Sequence, residues 1–355
     1  MPPQPCDPAR DPSLGRSARL ADIGEDELLA LIFPLLPPEP RALLGPGDDA
    51  AVLGLSYGAS VLTTDTMVLG QDWRDQWSTG ADVGAKIVAQ NLADVAAVGA
   101  VPAGLLITLI ADPSTPVRWA LDLAGGIGDA AAAAGTGVLG GDLSSAGPGV
   151  RAVSVTAVGD LEGRDPVTRA GARPGDVVAV TGTLGHAAAG LRLLTDAAAL
   201  EGGAEAAPGA ATRPGGAVFV AVQRRPTPPL AAGPQAAVAG VHAMIDLSDG
   251  LVRDAGRVAR ASGVDLDLGT AALAADIAVI AAVLGAHTAR DCVLAGGEDH
   301  ALLGCFSPQE PLPAGWRPIG VVSAASTPAD GGVPTGRALV DGKVPAKLGW
   351  DHFGG

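Results

Sequence analysis

The sequence predicts a mixed α/β (α+β) protein in two domains, and three observations carry that expectation. Short apolar runs with strand-like alternation recur between alanine-rich stretches of helical length. At 355 residues the chain is long enough for two domains, each with its own core. A turn-rich stretch, "EGRDPVTRAGARPGD" at 162–176, interrupts the pattern and reads as the boundary. The expected layout is a disordered tail over 1–20, a first domain over 21–162 and a second over 163–355.

Each element follows from local signals. Residues 1–20 are rich in proline and arginine and lack an apolar segment after their charges, so they do not read as a signal peptide. "ADIGEDELLALIF" (21–33) is a short amphipathic helix, ended by the prolines at 34–40. A glycine-rich turn at 45–47 introduces "DDAAVLGL", and 60–65 is the second strand. Ser78-Thr79 caps a long helix reaching about Val98. "VPAGLLITLIA" (101–111) is strand-like, and 116–134 is an alanine-rich helix with Pro116 near its start. A short strand (137–140) and a long alternating one (150–160) complete the first domain. Beyond the boundary, "VVAVTG" is a strand and "GHAAAGLRLL" a helix. Residues 200–217, biased to Ala, Gly, Glu and Pro, read as a surface loop. Strand and helix then alternate over 242–246, 249–262, 264–268, 273–284, 291–295 and 317–322.

Composition narrows the function classes. Hydrophobic residues make up 48% of the chain but aromatics only 3%, and there are 51 glycines, so cores are finely packed and backbones approach closely. No run of about 18 apolar residues occurs, so no membrane span is expected and the protein reads as cytoplasmic. Cys6, Cys292 and Cys305 show neither paired nor metal-type spacing and read as free thiols. The net charge is −15 with only three lysines, which argues against a nonspecific nucleic-acid binder.

The acids, however, are not scattered. Asp48 and Asp49 follow "GPG", Asp65 ends an apolar strand, and Asp142 follows "GVLGG". Asp246 ends "HAMI" with Asp249 three residues on, and Glu298-Asp299 follow "VLAGG". Five deliveries of a carboxylate to the end of an element suggest one shared site. Asp94 lies with Lys86 and Gln90 along one side of the long helix, where it either caps something internal or faces a cleft. Carboxylates gathered in a cleft raise each other's pKa unless cations intervene. Hard divalent ions such as Mg²⁺ match carboxylate oxygens, water and phosphate. The dispersed histidines and the absence of HExxH leave no zinc site. An oxygen-only metal site serving a nucleoside triphosphate fits best.

No GxxxxGK[ST] occurs, so a P-loop is excluded. "GTGVLG" at 135–140 matches GxGxxG but follows a helix and leads into a strand, the reverse of the dinucleotide-binding context. Ser248-Asp249, in "SDGLVRDAGRVA", would stand at a helix N-terminus, either binding phosphate or serving as a cap.

Eight segments together resemble the thiamine-monophosphate kinase family, within the aminoimidazole ribonucleotide synthetase-like superfamily. They are "GPGDDAAVL", "TTDTMV", "NLADVAAVGAVP", "GGDLS", "TRAGARPGDVVAVTGTLG", "IDLSDGL", "LAGGEDHAL" and "GWDHF", in the family's order across roughly residues 20–355. The resemblance implies direct transfer of the ATP γ-phosphoryl group to thiamine monophosphate. It implies an N-terminal sheet pairing across a homodimer, a larger C-terminal α/β domain, and several Mg²⁺ ions. Carried over, Asp48, Thr63, Thr64, Asp65, Asp94, Asp142 and Asp246 form the metal shell, and Asp249 holds a further ion by the transferred group. Gly141, Asp142, Arg169 and Ser248 match nucleotide-binding positions; Glu298 and Trp350 match substrate-binding ones. Asp65, Asp142 and Asp249 would carry the catalysis.

There is one departure. Many family members place a substrate-contacting histidine where "VLGQDW" puts Asp72, which cannot donate as an imidazole does. It could instead attract the thiazolium or aminopyrimidine, or bind metal or a water, so Asp72 joins Glu298 and Trp350 as a substrate-binding candidate. Two other readings remain. One is another ATP-dependent enzyme of the superfamily, selenophosphate synthetase-like or aminoimidazole ribonucleotide synthetase-like. Cys6, in a proline-rich tail, does not suit the former. The other is a non-catalytic nucleotide-binding regulator, against which the complete acid set argues.

Overall fold

In the computed structural model, residues 18–46, 51–200, 214–326 and 335–350 are described, with side chains omitted for 197–200. Asp48, Asp49, Cys6, most of the 1–20 tail and most of the 200–217 segment therefore lie outside the described residues. The chain divides into two compact units. One holds the chain up to Asn91 with Pro102–Asp160; the other holds Leu92–Val101 with the chain from Leu161.

The first unit runs α1 (Glu25–Ile32), β1 (Ala42–Leu44), β2 (Val52–Leu53), β3 (Ser60–Val68), α2 (Gly80–Ala97, which from Leu92 on belongs to the second unit), β4 (Val101–Ala111), α3 (Val117–Ala133), β5 (Val138–Ser145) and β6 (Arg151–Asp160). β1 and β2 form a small antiparallel pair. The main sheet has four strands in the order β3-β6-β4-β5. β3 pairs antiparallel with β6, and β4 pairs parallel with β5 through the crossover helix α3. α2 starts with a reciprocal capping arrangement. The Thr79 N–H donates to Asp82 Oδ2 at 2.9 Å, and the Asp82 N–H donates to Thr79 Oγ1 at 3.2 Å. α2 and α3 touch backbone to backbone, since a Cβ on Gly84 would lie 2.3 Å from the Leu123 carbonyl oxygen. That contact is one use the chain makes of its glycines.

The second unit runs β7 (Val177–Thr181), α4 (His186–Leu200), α5 (Ala217–Arg224), α6 (Ala232–Val238), β8 (Ala243–Leu247), α7 (Leu251–Ser262), β9 (Val264–Leu268), α8 (Ala274–Leu284), α9 (Ala286–Ala295), β10 (Ala301–Phe306), β11 (Arg317–Ala324) and β12 (Ala338–Val340). Its six strands are ordered β12-β9-β11-β7-β10-β8 and are antiparallel except for β12 against β9. Its core includes Met244, Leu302, Phe306 and Trp316, with Ala96 from the end of α2 packed among them.

Three expectations are corrected. Residues 291–295 are the end of a helix, because Ala289, Cys292 and Val293 bury one helical stripe. The missing strand is β10, fully buried between β7 and β8. The strand expected at 137–140 continues to Ser145, because parallel pairing with β4 carries it through Gly141 and Asp142. Cys292 and Cys305 are free and buried, and burial pushes both thiols up, to about 11 and about 12. Among the described residues, no helix is long and apolar enough to cross a membrane.

Candidate active site

In the first unit, β3 presents the threonine–aspartate run with strict alternation. Thr63 and Asp65 lie opposite the buried Ala157 and Val155 and share the face of Met67, which is fully buried. Thr64 points to the other, open face. Its hydroxyl donates to the Val155 carbonyl at 3.0 Å and accepts from Thr156 Oγ1 at 3.2 Å. β3 is an edge strand, and Asn91 of α2 engages it there, accepting the Asp65 N–H through Oδ1 at 3.1 Å. Asn91 is itself fixed, donating through Nδ2 to the Ile87 carbonyl at 2.9 Å. Asp94, half-buried, lies on the last part of α2, which belongs to the second unit, and Lys86 of the same helix is buried.

Asp72 does not reach away from the chain. Its Oδ2 accepts the Val68 N–H at 2.7 Å, closing the turn that ends β3. Gly141 and Asp142 sit on β5, the opposite edge of the sheet, where Asp142 is exposed and accepts a bond from Ser144 Oγ at 3.0 Å. A cavity of about 900 Å³ adjoins them, lined by Leu106, Thr108, Leu139, Gly141, Asp142 and Thr156 among others. Two strands separate Asp65 from Asp142, so three interstrand spacings, roughly 14 Å, part them.

In the second unit, Ser248, Asp249, Glu298 and Trp350 are brought together, with Asp246 just ahead of them on β8. Asp246 ends the edge strand β8, buried, with Oδ2 3.3 Å from His300 Nδ1. Ser248, Asp249 and Gly250 form the turn into α7. The Glu298 N–H donates to the Ser248 carbonyl at 2.8 Å. The Trp350 N–H donates to the next carbonyl, that of Asp249, at 2.9 Å. Both contacts need glycine beside them. A Cβ on Gly297 would lie 2.1 Å from the Ser248 oxygen, and one on Gly349 would lie 2.4 Å from the Asp249 oxygen. Glu298 takes a positive φ of 69°, and the Trp350 side chain is 62% exposed. Arg169 lies apart from this group. Its neighbour Thr168 accepts the Met244 N–H at 3.0 Å, beside the start of β8, and the Arg169 carbonyl accepts from Ser262 Oγ.

Two residues that the sequence reading passed over organise the turn. Asp254 is fully buried, and its Oδ2 accepts the N–H groups of Asp249 (3.0 Å) and Gly250 (3.1 Å). Arg257 forks between carboxylates, donating through Nη1 to Asp254 Oδ1 and through Nη2 to Asp249 Oδ2, each at 2.5 Å. Burial, then the charge of Asp246, pushes Asp254 up to about 7 against the pull of Arg257. The available signal was a carboxylate in the buried stripe of α7, alongside Leu251, Ala255 and Val258. Ser248 does not cap α7; Gly250 occupies that position. Asp299, next to Glu298, points elsewhere and accepts from Thr183 Oγ1 and the His186 and Ala187 N–H groups at the start of α4.

The donor set suits a hard divalent ion. Every candidate ligand is an oxygen, from carboxylates or hydroxyls. Among the described residues, no three ligating side chains stand together in one copy of the chain.

Residues 47–161 match the family model described as AIR synthase related protein, N-terminal domain. Thiamine-monophosphate kinase of Mycobacterium tuberculosis is 43% identical over 319 residues, covering 88% of this chain and 86% of that protein. The crystal structure of thiamine-monophosphate kinase from Stenotrophomonas maltophilia superposes with a TM-score of 0.72 at 29% identity, covering 90% of this chain and 96% of that one. The structure of AaThiL complexed with AMPPCP and TMP gives 0.71 at 29% identity, covering 96% of this chain and all of that one (100%).

Proposed function

The chain belongs to the thiamine-monophosphate kinase family, and on that premise we propose that it phosphorylates thiamine monophosphate to thiamine diphosphate with ATP. A phosphate oxygen of thiamine monophosphate attacks the γ-phosphorus, and ADP leaves. The observation that carries this reading is the docking of Glu298 and Trp350 by their backbones onto the successive carbonyls of the Ser248–Asp249 turn. A substrate held by the first pair would thereby be in register with phosphate groups at the second. The indole of Trp350 offers a face to the cationic thiazolium ring, and Glu298 a negative partner. Ser248, Gly141, Asp142 and the forked guanidinium of Arg169 are the residues proposed for ATP.

Several Mg²⁺ ions complete the proposal, held by Asp48, Thr63, Thr64, Asp65, Asp94, Asp142 and Asp246, with Asp249 holding another. Bound there, they would neutralise phosphate charge, which with alignment is most of what phosphoryl transfer requires. The remaining work belongs to the chain: Asp65 and Asp142 hold their oxygens on strands, and Asp249 on a turn, whose backbones are hydrogen-bonded in place. We assign Asp72 to the turn that it closes rather than to substrate.

The proposed assembly is a homodimer. The open side of the four-stranded sheet carries the exposed Leu62, Val68 and Leu106, an apolar surface that a second copy would cover. Two sheets so paired could also bring the Asp65 edge of one copy to the Asp142 edge of the other, joining acids that one sheet keeps apart. Use of ATP is consistent with a cytoplasmic location. Incubation with Mg-ATP and thiamine monophosphate should yield thiamine diphosphate and ADP in equal amounts. Folded Asp65→Asn should turn over at less than about a hundredth of the parent rate, in line with losing one preorganised charged group. ATP binding without turnover by the parent protein would sink the proposal.

A further inference from the structure

Arg257 and Asp254 belong to neither the expected metal shell nor the expected nucleotide and substrate groups, yet they hold Asp249 at both ends. Asp254 receives the backbone N–H of Asp249, and Arg257 grips the Asp249 carboxylate while anchored on Asp254. Arg253, one turn along the helix, approaches the same oxygen at 4.0 Å. Both arginines address the same oxygen, Oδ2.

We propose that Arg257, braced by Asp254, is a positioning residue that fixes the rotamer of the Asp249 carboxylate and lowers its affinity for a divalent cation. The inference rests on the proposed phosphoryl transfer for the purpose of that ion. The Asp249–Arg257–Asp254 contacts themselves do not depend on it. One guanidinium is shared by Asp249 and Asp254, and a fork is what the sharing demands. Each of two carboxylates takes a separate Nη, a division that one ammonium group reproduces poorly. Positive charge beside a ligand oxygen repels a metal ion, while a tethered carboxylate loses less freedom when the ion arrives. The two effects oppose each other in affinity but act together in placing the ion, so the residue should cost binding and benefit rate.

That combination separates positioning from simple structural support. The test is a titration of the full-length, nucleotide-free protein with Mn²⁺, reading free ion by its paramagnetic resonance signal, beside steady-state kinetics. Asp249→Asn identifies the ion that depends on Asp249. Arg257→Gln is expected to bind that ion roughly tenfold more tightly, the scale of removing one partly solvated charge. Its kcat should fall roughly 10- to 100-fold with KM for both substrates changed less than about threefold, as expected when orientation rather than binding is lost. Arg257→Lys should restore the affinity but not kcat. In the Asp249→Asn background, Arg257→Gln should leave Mn²⁺ binding unchanged. Weaker Mn²⁺ binding by Arg257→Gln, or an equal effect in both backgrounds, overturns the inference, as does an identical titration for Asp249→Asn and the parent. A parent protein inactive on thiamine monophosphate that still shows the Mn²⁺ pattern would remove the kinase reading and leave the positioning role standing.

Discussion

Replacing Gly297 by alanine tests whether the Ser248–Asp249 turn and the Glu298 segment must be in register. The added methyl carbon would start 2.1 Å from the Ser248 carbonyl oxygen, where real contacts stay beyond 3.0 Å. Backbone faces it, so no side chain can swing aside, and one segment must retreat by about 1 Å to restore van der Waals distance. The retreat breaks the 2.8 Å bond from the Glu298 N–H to that oxygen. Losing the bond costs about 1 kcal/mol and overpacking adds about 1–2 kcal/mol, or 2–3 kcal/mol together. For a unit of this size that lowers Tm by roughly 4–10 °C.

The larger effect should be on rate. A displacement of about 1 Å between groups that orient reactants costs on the order of 100-fold. Coupled detection of ADP, with thiamine monophosphate varied at saturating Mg-ATP, should show kcat/KM down by about that factor in protein that remains folded. Gly125→Ala is the matched control: it sits within α3 with nothing within 4 Å of its added carbon, and it should melt at or above the parent temperature. A Gly297→Ala protein that melts within 1 °C of the parent and keeps kcat/KM within about threefold would refute the argument from close approach.

Two further outcomes follow from individual carboxylates. Asp72→Ala removes the acceptor for the Val68 N–H and should cost about 1 kcal/mol in chemical denaturation. KM for thiamine monophosphate should change less than about threefold, and a tenfold rise would return Asp72 to substrate binding. Asp299 is raised by burial from 3.8 to about 6, so folding favours its protonated form: that stability is present below pH 3.8 and lost as pH rises through about 6. Thermal melts of Asp299→Asn against the parent from pH 4 to 7 should therefore move in the variant's favour by up to about 3 kcal/mol, and no change in the difference would count against a buried, costly charge.

How much of this was legible in the sequence depends on whether the information was local. The capping of α2 by Thr79, the ends of β4 and α3, and the delivery of Asp246 and Glu298 to element ends follow from neighbouring residues. Asp65, expected at a strand end, instead stands inside β3, which pairs with β6 as far as Val68. β10 was missed because Gly296, Gly297 and the positive-φ residues Glu298 and His300 stand directly before it, so the apolar run just ahead of them looked like the strand. Asp254 was passed over for a related reason. On its own it is an acid in a helix, and its role exists only because the preceding turn folds its N–H groups back onto that carboxylate. The most consequential gap concerns strand order. Asp65 and Asp142 read as members of one shell, since each ends or interrupts an apolar run. β6, however, inserts between β3 and β4, and that long-range pairing leaves the two acids on opposite edges. Sequence order shows which residues stand at strand ends, whereas sheet order decides which of them can meet. Under the proposed homodimer, the Asp65 edge and the Asp142 edge could meet from different copies, the same arrangement under which the open apolar sheet face would be covered.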